Sequence, residues 1–516
     1  MQFNSYAFIL AFLPLTAAGY FLLCGSRLAA FSQLWMLLAS LLFYSVWSPV
    51  YLPLMLGSIG FNFLIGRGIH ARAGQSAART LLIAGIAGNL LLLGYFKYAD
   101  FFIGNLNAVM GGQLPLPHII LPLGISFFTF TQIAFLVDTF QRRASRPGFV
   151  NYALFVSYFP HLLSGPILHH GEMMPQFENA QNRRFDADNF ARGLLLFALG
   201  LAKKAVLADS LAEISDAGFR QPGSAGFADA WLIALAYTLQ LYFDFSGYTD
   251  MALGMSRMLN IRLPVNFDSP YRATNIQDFW RRWHITLSRF LRDYLYVPLG
   301  GNRRGPARRY INLLVTMLLG GLWHGAGWTF LAWGALHGFY LCVNHGWLAL
   351  RVSMGHDLTR STRWGNALAC IITFLAVVAG WVVFRADSMA TATAMLKGMA
   401  GLNGFALPDH WLPKWGLLGQ WLSGYGVAFT DSRGLVPAGL INWIVILLAV
   451  VWFAPNTQQI MARGFPLMAL LLPPDMRPAR LLAWRPTVVF ALIAACVALA
   501  SIVNLHRQSE FLYFQF

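Results

Sequence analysis

"INLLVTMLLGGLWHGAGWTFLAWGALHGFYLCVNHG", residues 311–346, is predominantly apolar and punctuated by glycines. Drawn as one straight helix it would run roughly 54 Å, far more than the hydrocarbon of a bilayer. It must bend or return. Arg308 and Arg309 precede it, and Arg351, Arg360 and Arg363 follow it. Basic residues collect on the inner side of a membrane, so both ends belong there and the stretch reads as an in-and-out hairpin with "LWHGAGW" near its turn. That spacing puts His324 deep in the membrane. An ionisable side chain at such depth is costly unless it faces a polar cavity, which makes it a functional candidate by default. Gly320, Gly321, Gly325 and Gly327 surround it and remove bulk where a helix or a substrate approaches the imidazole. The alternative is a core histidine in small-residue helix packing. Trp323 and Trp328 either wall a channel or anchor the helices.

The rest of the chain supports a membrane setting. Over 516 residues it is 57% hydrophobic and 11% charged, the composition of an all-α polytopic membrane protein. About a dozen apolar stretches, each long enough to span hydrocarbon, recur between residues 7 and 504. The first of them has neither a basic leader nor an A-x-A-like exit, so it reads as a retained helix rather than a signal peptide. The formal charge of +16 fits basic inner loops and gives no call for nucleic acid. Cys24, Cys342, Cys370 and Cys496 show no C-x-x-C spacing, which suggests neither a metal site nor a disulfide framework. Arg27, then Arg67, Arg72 and Arg79, then Arg142, Arg143 and Arg146 follow alternate apolar segments, which places the N-terminus outside. Arg477, Arg480 and Arg485 precede "TVVFALIAACVALASIV", so the segment crosses outward and residues 505–516 emerge on the outer side.

From Asp250 to Tyr310 there are eleven arginines, no lysine and no clean span. This region reads as helices along the cytoplasmic interface. Within it "DFWRRWHITLSRFLRDYLYVPLGG" (278–301) sets Phe279, Trp283, Leu287, Phe290, Leu291 and Tyr294 on one side at helical spacing. Arginines lie opposite, with Asp278–Arg282 and Arg289–Asp293 at i,i+4, which predicts one amphipathic helix. His284 shares the stripe of Trp280 and Ser288 and, taken alone, reads as a structural histidine. Arg281, Arg282 and Trp283 are candidates to hold phosphates, of a donor substrate or equally of anionic lipid headgroups. "FDFSGYTD" adds Asp244, Ser246, Tyr248 and Asp250 after an apolar span. Buried carboxylates need partners, so these residues orient a histidine, pair with arginines, or cap the segment 250–260.

Three long motifs, "WRRWHITLSRFLRDYLYVPLGG", "VTMLLGGLWHGAGW" and "LQLYFDFSGYTDMALG", resemble the membrane-bound O-acyltransferase (MBOAT) family. The likeness is strongest to its alginate O-acetylase branch and extends through "LPLGISFFTF", "SYFPHLLSGPI" and "GWVVFRADS". It implies an MBOAT-like helical bundle with re-entrant and interfacial helices around a central tunnel. It further implies an O-acetyltransferase with His324 as catalytic histidine and His284 as a second motif histidine. The aromatic stretch "EFLYFQF" (510–516) is similar to one found in relatives that acetylate extracellular polymers, and the resemblance implies that Tyr513 carries the acyl group. The implied donor is acetyl-CoA or another acyl thioester, with no resident cofactor and no metal. The implied partners are a periplasmic SGNH-type acetyltransferase, a polysaccharide export complex and membrane lipids, in a bacterial inner membrane with both termini periplasmic.

The expected layout is a single membrane domain over 1–516. It comprises N-terminal spans in 7–246, interfacial helices in 250–310, the hairpin 311–346, further spans in 365–504 and the aromatic tail 505–516. A transporter would show internal symmetry, and no second "WHG" or "WRRWH" element occurs. An acyltransferase for lipid, protein, cellulose or peptidoglycan is the nearer rival, and a non-enzymatic export scaffold is the third reading.

Overall fold

A computed structural model describes all residues except 48, 359, 426, 431–435, 438, 462–483, 508–510 and 513–516. Arg477, Arg480 and Tyr513 thus lie outside the described residues. The described residues are mostly helical, and their strands are one short parallel pair, β1 (Ala406–Pro408) with β2 (Ala428–Thr430). It divides into two compact units.

The first unit comprises Met1–Ala202, Gly247–Asn266 and Trp484–His506. Its apolar helices are α1 (Phe8–Cys24), α2 (Ala29–Trp47), α3 (Pro49–Ala71), α4 (Ser76–Met110) and α5 (Ile125–Phe140). They are followed by α6 (Ala187–Ala202). Polar ties hold these apolar helices in register. Asn62 and Asn89 exchange side-chain amide hydrogen bonds of 2.6 and 3.1 Å between α3 and α4, and the Gln132 amide of α5 donates to Ser58 Oγ at 2.9 Å. Outward-facing Leu64 and Leu91 remain 67% and 74% exposed, as expected where the solvent is lipid.

Helix α7 (Phe227–Met258) runs from the second unit into the first. Its Gly254 and Gly247 meet Gly193 and Gly200 of α6 so closely that a Cβ on Gly193 or Gly200 would lie 2.5 or 2.6 Å from the facing glycine's carbonyl oxygen. Such contact between small residues is how helices pack where lipid removes the hydrophobic driving force.

The second unit comprises Lys203–Ser246, Phe267–Ala483 and Arg507–Phe516. It contains two short helices, α8 (Ile276–Arg282) and α9 (Ile285–Leu291), then α10 (Pro306–His324), α11 (Trp328–Ser353), α12 (Arg363–Arg385) and α13 (Leu440–Phe453). The final helix, α14 (Val488–Val503), belongs to the first unit, where it packs on α6. Five described helices are long and apolar enough to cross a membrane, and α1, α5 and α13 are shorter apolar helices. Fewer helices than the dozen apolar stretches satisfy that test, because α7, α10 and α11 carry buried polar residues within their length.

Candidate active site

Three glycines set the hairpin. A Cβ on Gly321 would stand 2.2 Å from the Phe330 carbonyl oxygen, one on Gly334 2.4 Å from that of Met317, and one on Gly338 3.0 Å from Leu314 Cδ2. These pairings run in opposite directions along the chain, so α10 and α11 are antiparallel and in backbone contact. The turn between them is extended at Gly325 and Gly327. His324, the last residue of α10, is 5% exposed. Its imidazole sits among Trp323 (ring centroids 4.9 Å), Trp333 (5.1 Å, perpendicular) and Phe384 of α12 (5.2 Å).

The predicted amphipathic helix 278–301 is not continuous. Trp283 is extended, and His284 adopts a left-handed backbone with φ 43° and ψ 55°, which ends α8 and starts α9 afresh. A non-glycine residue there stores roughly 1–3 kcal/mol of strain, and such outliers concentrate at functional sites. The break turns the His284 ring fully inward. It meets the Phe245 ring edge-on at 4.8 Å and the Trp323 ring at 6.2 Å. His284 and His324 therefore both contact Trp323. Burial pushes the His284 pKa down to about 3, so the ring is neutral.

Arg282 binds Asp278 at 2.9 Å as the spacing predicts, and Asp293 binds its neighbour Arg292 at 2.7 Å. Trp283 is buried between Phe267 (5.0 Å) and Trp381 (4.8 Å), so its ring belongs to an aromatic core. Arg281 is exposed and Arg282 half-buried.

Asp244 is 1% exposed and lies 2.7 Å from Lys204 Nζ, which also binds Asp209 at 2.8 Å. The backbone N–H of Leu512 donates to the second Asp244 oxygen at 3.1 Å, and Phe511 approaches Phe245 at 6.2 Å. Ser246 is buried two residues further along α7. Tyr248 and Asp250 fall in the first unit, where the Tyr248 ring stacks on Phe3 at 4.5 Å and Asp250 backs onto Gly200. Asp250 does not cap a segment 250–260, because α7 continues through it to Met258. Alternate residues of a helix point about 200° apart, so the four polar groups of "DFSGYTD" do not share one face.

Two features were not singled out in the sequence. Lys204 and Asp209 complete the buried ion group, and a lysine inside the apolar stretch "GLAKKAVLA" was the available signal. His337 is fully buried against Trp333 (4.9 Å) and Trp280 (5.3 Å), and Gly380 leaves room for it, since a Cβ there would lie 2.8 Å from its Nε2. The glycines flanking it in "WGALHGFY" resemble those around His324.

A buried imidazole at a helix end, with a second one across a shared tryptophan, can accept a proton in a site closed to bulk water. Residues 125–383 match the pattern of MBOAT, membrane-bound O-acyltransferase family. The peptidoglycan O-acetyltransferase of Helicobacter pylori is 46% identical over 433 residues, covering 79% of this chain and 81% of the relative. The probable alginate O-acetylase AlgI of Pseudomonas aeruginosa is 43% identical over 418 residues, covering 79% and 76%. The teichoic acid D-alanyltransferase of Bacillus subtilis is 27% identical over 333 residues, covering 57% and 82%. The chain belongs to the membrane-bound O-acyltransferase family and is a multi-pass membrane acyltransferase.

Proposed function

We propose that the protein takes acetyl from a cytoplasmic thioester, acetyl-CoA, and delivers it across a bacterial inner membrane for O-acetylation of an exported polysaccharide. The observation that carries this reading is the closed aromatic site in which His284 and His324 meet at Trp323, with Phe511 seated against Phe245 beside His284. Phe511 of the aromatic stretch thus reaches the same cluster as His284. His324 acts as general base toward the phenol of Tyr513, whose ordinary pKa of about 10 makes it easier to deprotonate than a sugar hydroxyl. The phenolate oxygen attacks the thioester carbonyl, the C–S bond breaks, and the proton passes to the departing thiolate. The resulting aryl ester keeps a good leaving group. A serine hydroxyl of a periplasmic SGNH-type transferase then takes the acetyl and the phenol recovers its proton. His284 positions the cluster, and Asp244 orients it through Phe245 and the tail. Arg281 and Arg282 offer charge to donor or lipid phosphates, while Trp283 supports them from the core.

Alginate is the acceptor suggested by the AlgI relatives, at 41–46% with the Helicobacter pylori protein included. The name of that last relative favours peptidoglycan as the second reading. Inverted vesicles containing the chain and a serine transferase partner, given labelled acetyl-CoA outside, distinguish these. Label on enclosed alginate supports the first reading, label on enclosed muropeptide the second, and label on neither contradicts transmembrane transfer.

A further inference from the structure

We infer that the ion group Lys204–Asp209–Asp244 is a docking site for the aromatic stretch, gripping it by its backbone at Leu512. Lys204 Nζ lies 2.8 Å from Asp209 and 2.7 Å from Asp244, with all three side chains no more than 3% exposed. Two carboxylates share one ammonium where hydration is excluded, so the second carboxylate requires further donors. The Leu512 N–H, 268 residues downstream of Asp244, is such a donor at 3.1 Å. A buried carboxylate accepting a backbone amide is a charge-assisted bond, stronger than a neutral one.

Neighbouring side chains complete the seat. Phe511 and Leu512 are each 3% exposed, and the Phe511 ring rests 6.2 Å from that of Phe245. Asp244 and Phe245 are consecutive on α7 and point about 100° apart. One therefore holds the tail's N–H while the other meets its ring. Phe245 in turn touches His284 at 4.8 Å, so docking the tail and packing the motif histidine share one residue. Leu512 directly precedes Tyr513, and anchoring its amide limits how far that phenol travels. The inference deepens the functional reading above, but docking stands whether or not Tyr513 carries an acyl group.

Hydrogen exchange at single-residue resolution on the full chain in lipid nanodiscs tests it. Docking predicts that the Leu512 amide exchanges at least roughly tenfold slower than an unstructured peptide, and that Asp244→Ala accelerates it roughly ten- to a hundredfold. Lys204 keeps Asp209 in that variant, so amides of the helix Asp209–Arg220 should be unchanged. Asp244→Asn, which keeps an acceptor without the charge, should fall between. If Asp244→Ala disturbs the helix Asp209–Arg220 as well, Phe511→Ala decides, because it leaves the ions intact: faster exchange confined to the tail supports docking, and unchanged exchange overturns it. Free-peptide exchange at Leu512 in the native chain also overturns it. Tyr513→Phe separates the two proposals, since docking predicts retained Leu512 protection even where acyl transfer is lost.

Discussion

Replacing Gly321 with alanine tests whether the hairpin holds the imidazole in place. A Cβ there would lie 2.2 Å from the Phe330 carbonyl oxygen and 3.1 Å from its carbonyl carbon, where ordinary contact begins at 3.4 Å. The obstructing atoms are backbone, so no side-chain rotation relieves the clash and the two helices must part by about 1 Å, the shortfall at the oxygen. Gly321 stands three residues before His324 on α10, the same helix face. On the other side, Phe330 meets Phe384 at 5.2 Å and Phe384 meets His324 at 5.2 Å. Both walls of the imidazole pocket therefore move. Overpacking of this kind costs about 1–3 kcal/mol, and a misplacement of about 1 Å costs on the order of a hundredfold in rate. The control is Gly94→Ala on α4, where nothing lies within 4 Å of the new Cβ; helix propensity there favours alanine by up to about 1 kcal/mol. The assay is thioester turnover by the purified chain in nanodiscs, alongside thermal unfolding. Gly321→Ala should lose roughly a hundredfold in turnover and unfold at a lower temperature, while Gly94→Ala keeps both. Equal behaviour of the two variants would refute the reasoning.

Replacing His324 by glutamine removes the proposed base and should lower turnover by roughly 10²–10⁴-fold with little change in unfolding temperature; undiminished turnover contradicts the assignment. At His284 the prediction concerns pH. Its folded pKa is about 3 against an ordinary 6.5, so the unfolded chain binds the extra proton between those values. Its contribution to stability is complete above about pH 6.5 and is lost as pH falls toward 3, by about 2 kcal/mol at pH 5. His284→Asn, which tolerates the left-handed backbone, should flatten that part of the profile when unfolding is followed at pH 7 and pH 5. An unaltered slope would show that another group is responsible.

The membrane class and family were legible because they rest on composition and long local motifs. The close pairing of α10 and α11 is local too, since both helices and their glycines lie within one stretch of sequence. The break at His284 was not legible. Apolar residues at Phe279, Trp283, Leu287 and Tyr294 continue a helical period straight through it, and side-chain spacing carries no record of one residue with φ 43°. The same period concealed that Trp283 faces an aromatic core. The ion group was hidden for a different reason. Asp244 takes its partners from 40 residues upstream, at Lys204, and from 268 residues downstream, at Leu512. The downstream partner is a backbone amide, which no side-chain pattern can announce.

The central claim is that acyl transfer runs through His324 to the aromatic stretch. The most direct measurement is peptide mass spectrometry of the purified protein after exposure to labelled acetyl-CoA, comparing the native chain with His324→Ala and Tyr513→Phe. The account predicts label on the peptide containing residues 511–516 in the native chain and on neither variant. Turnover that continues in Tyr513→Phe with no label on that peptide in the native chain would contradict it.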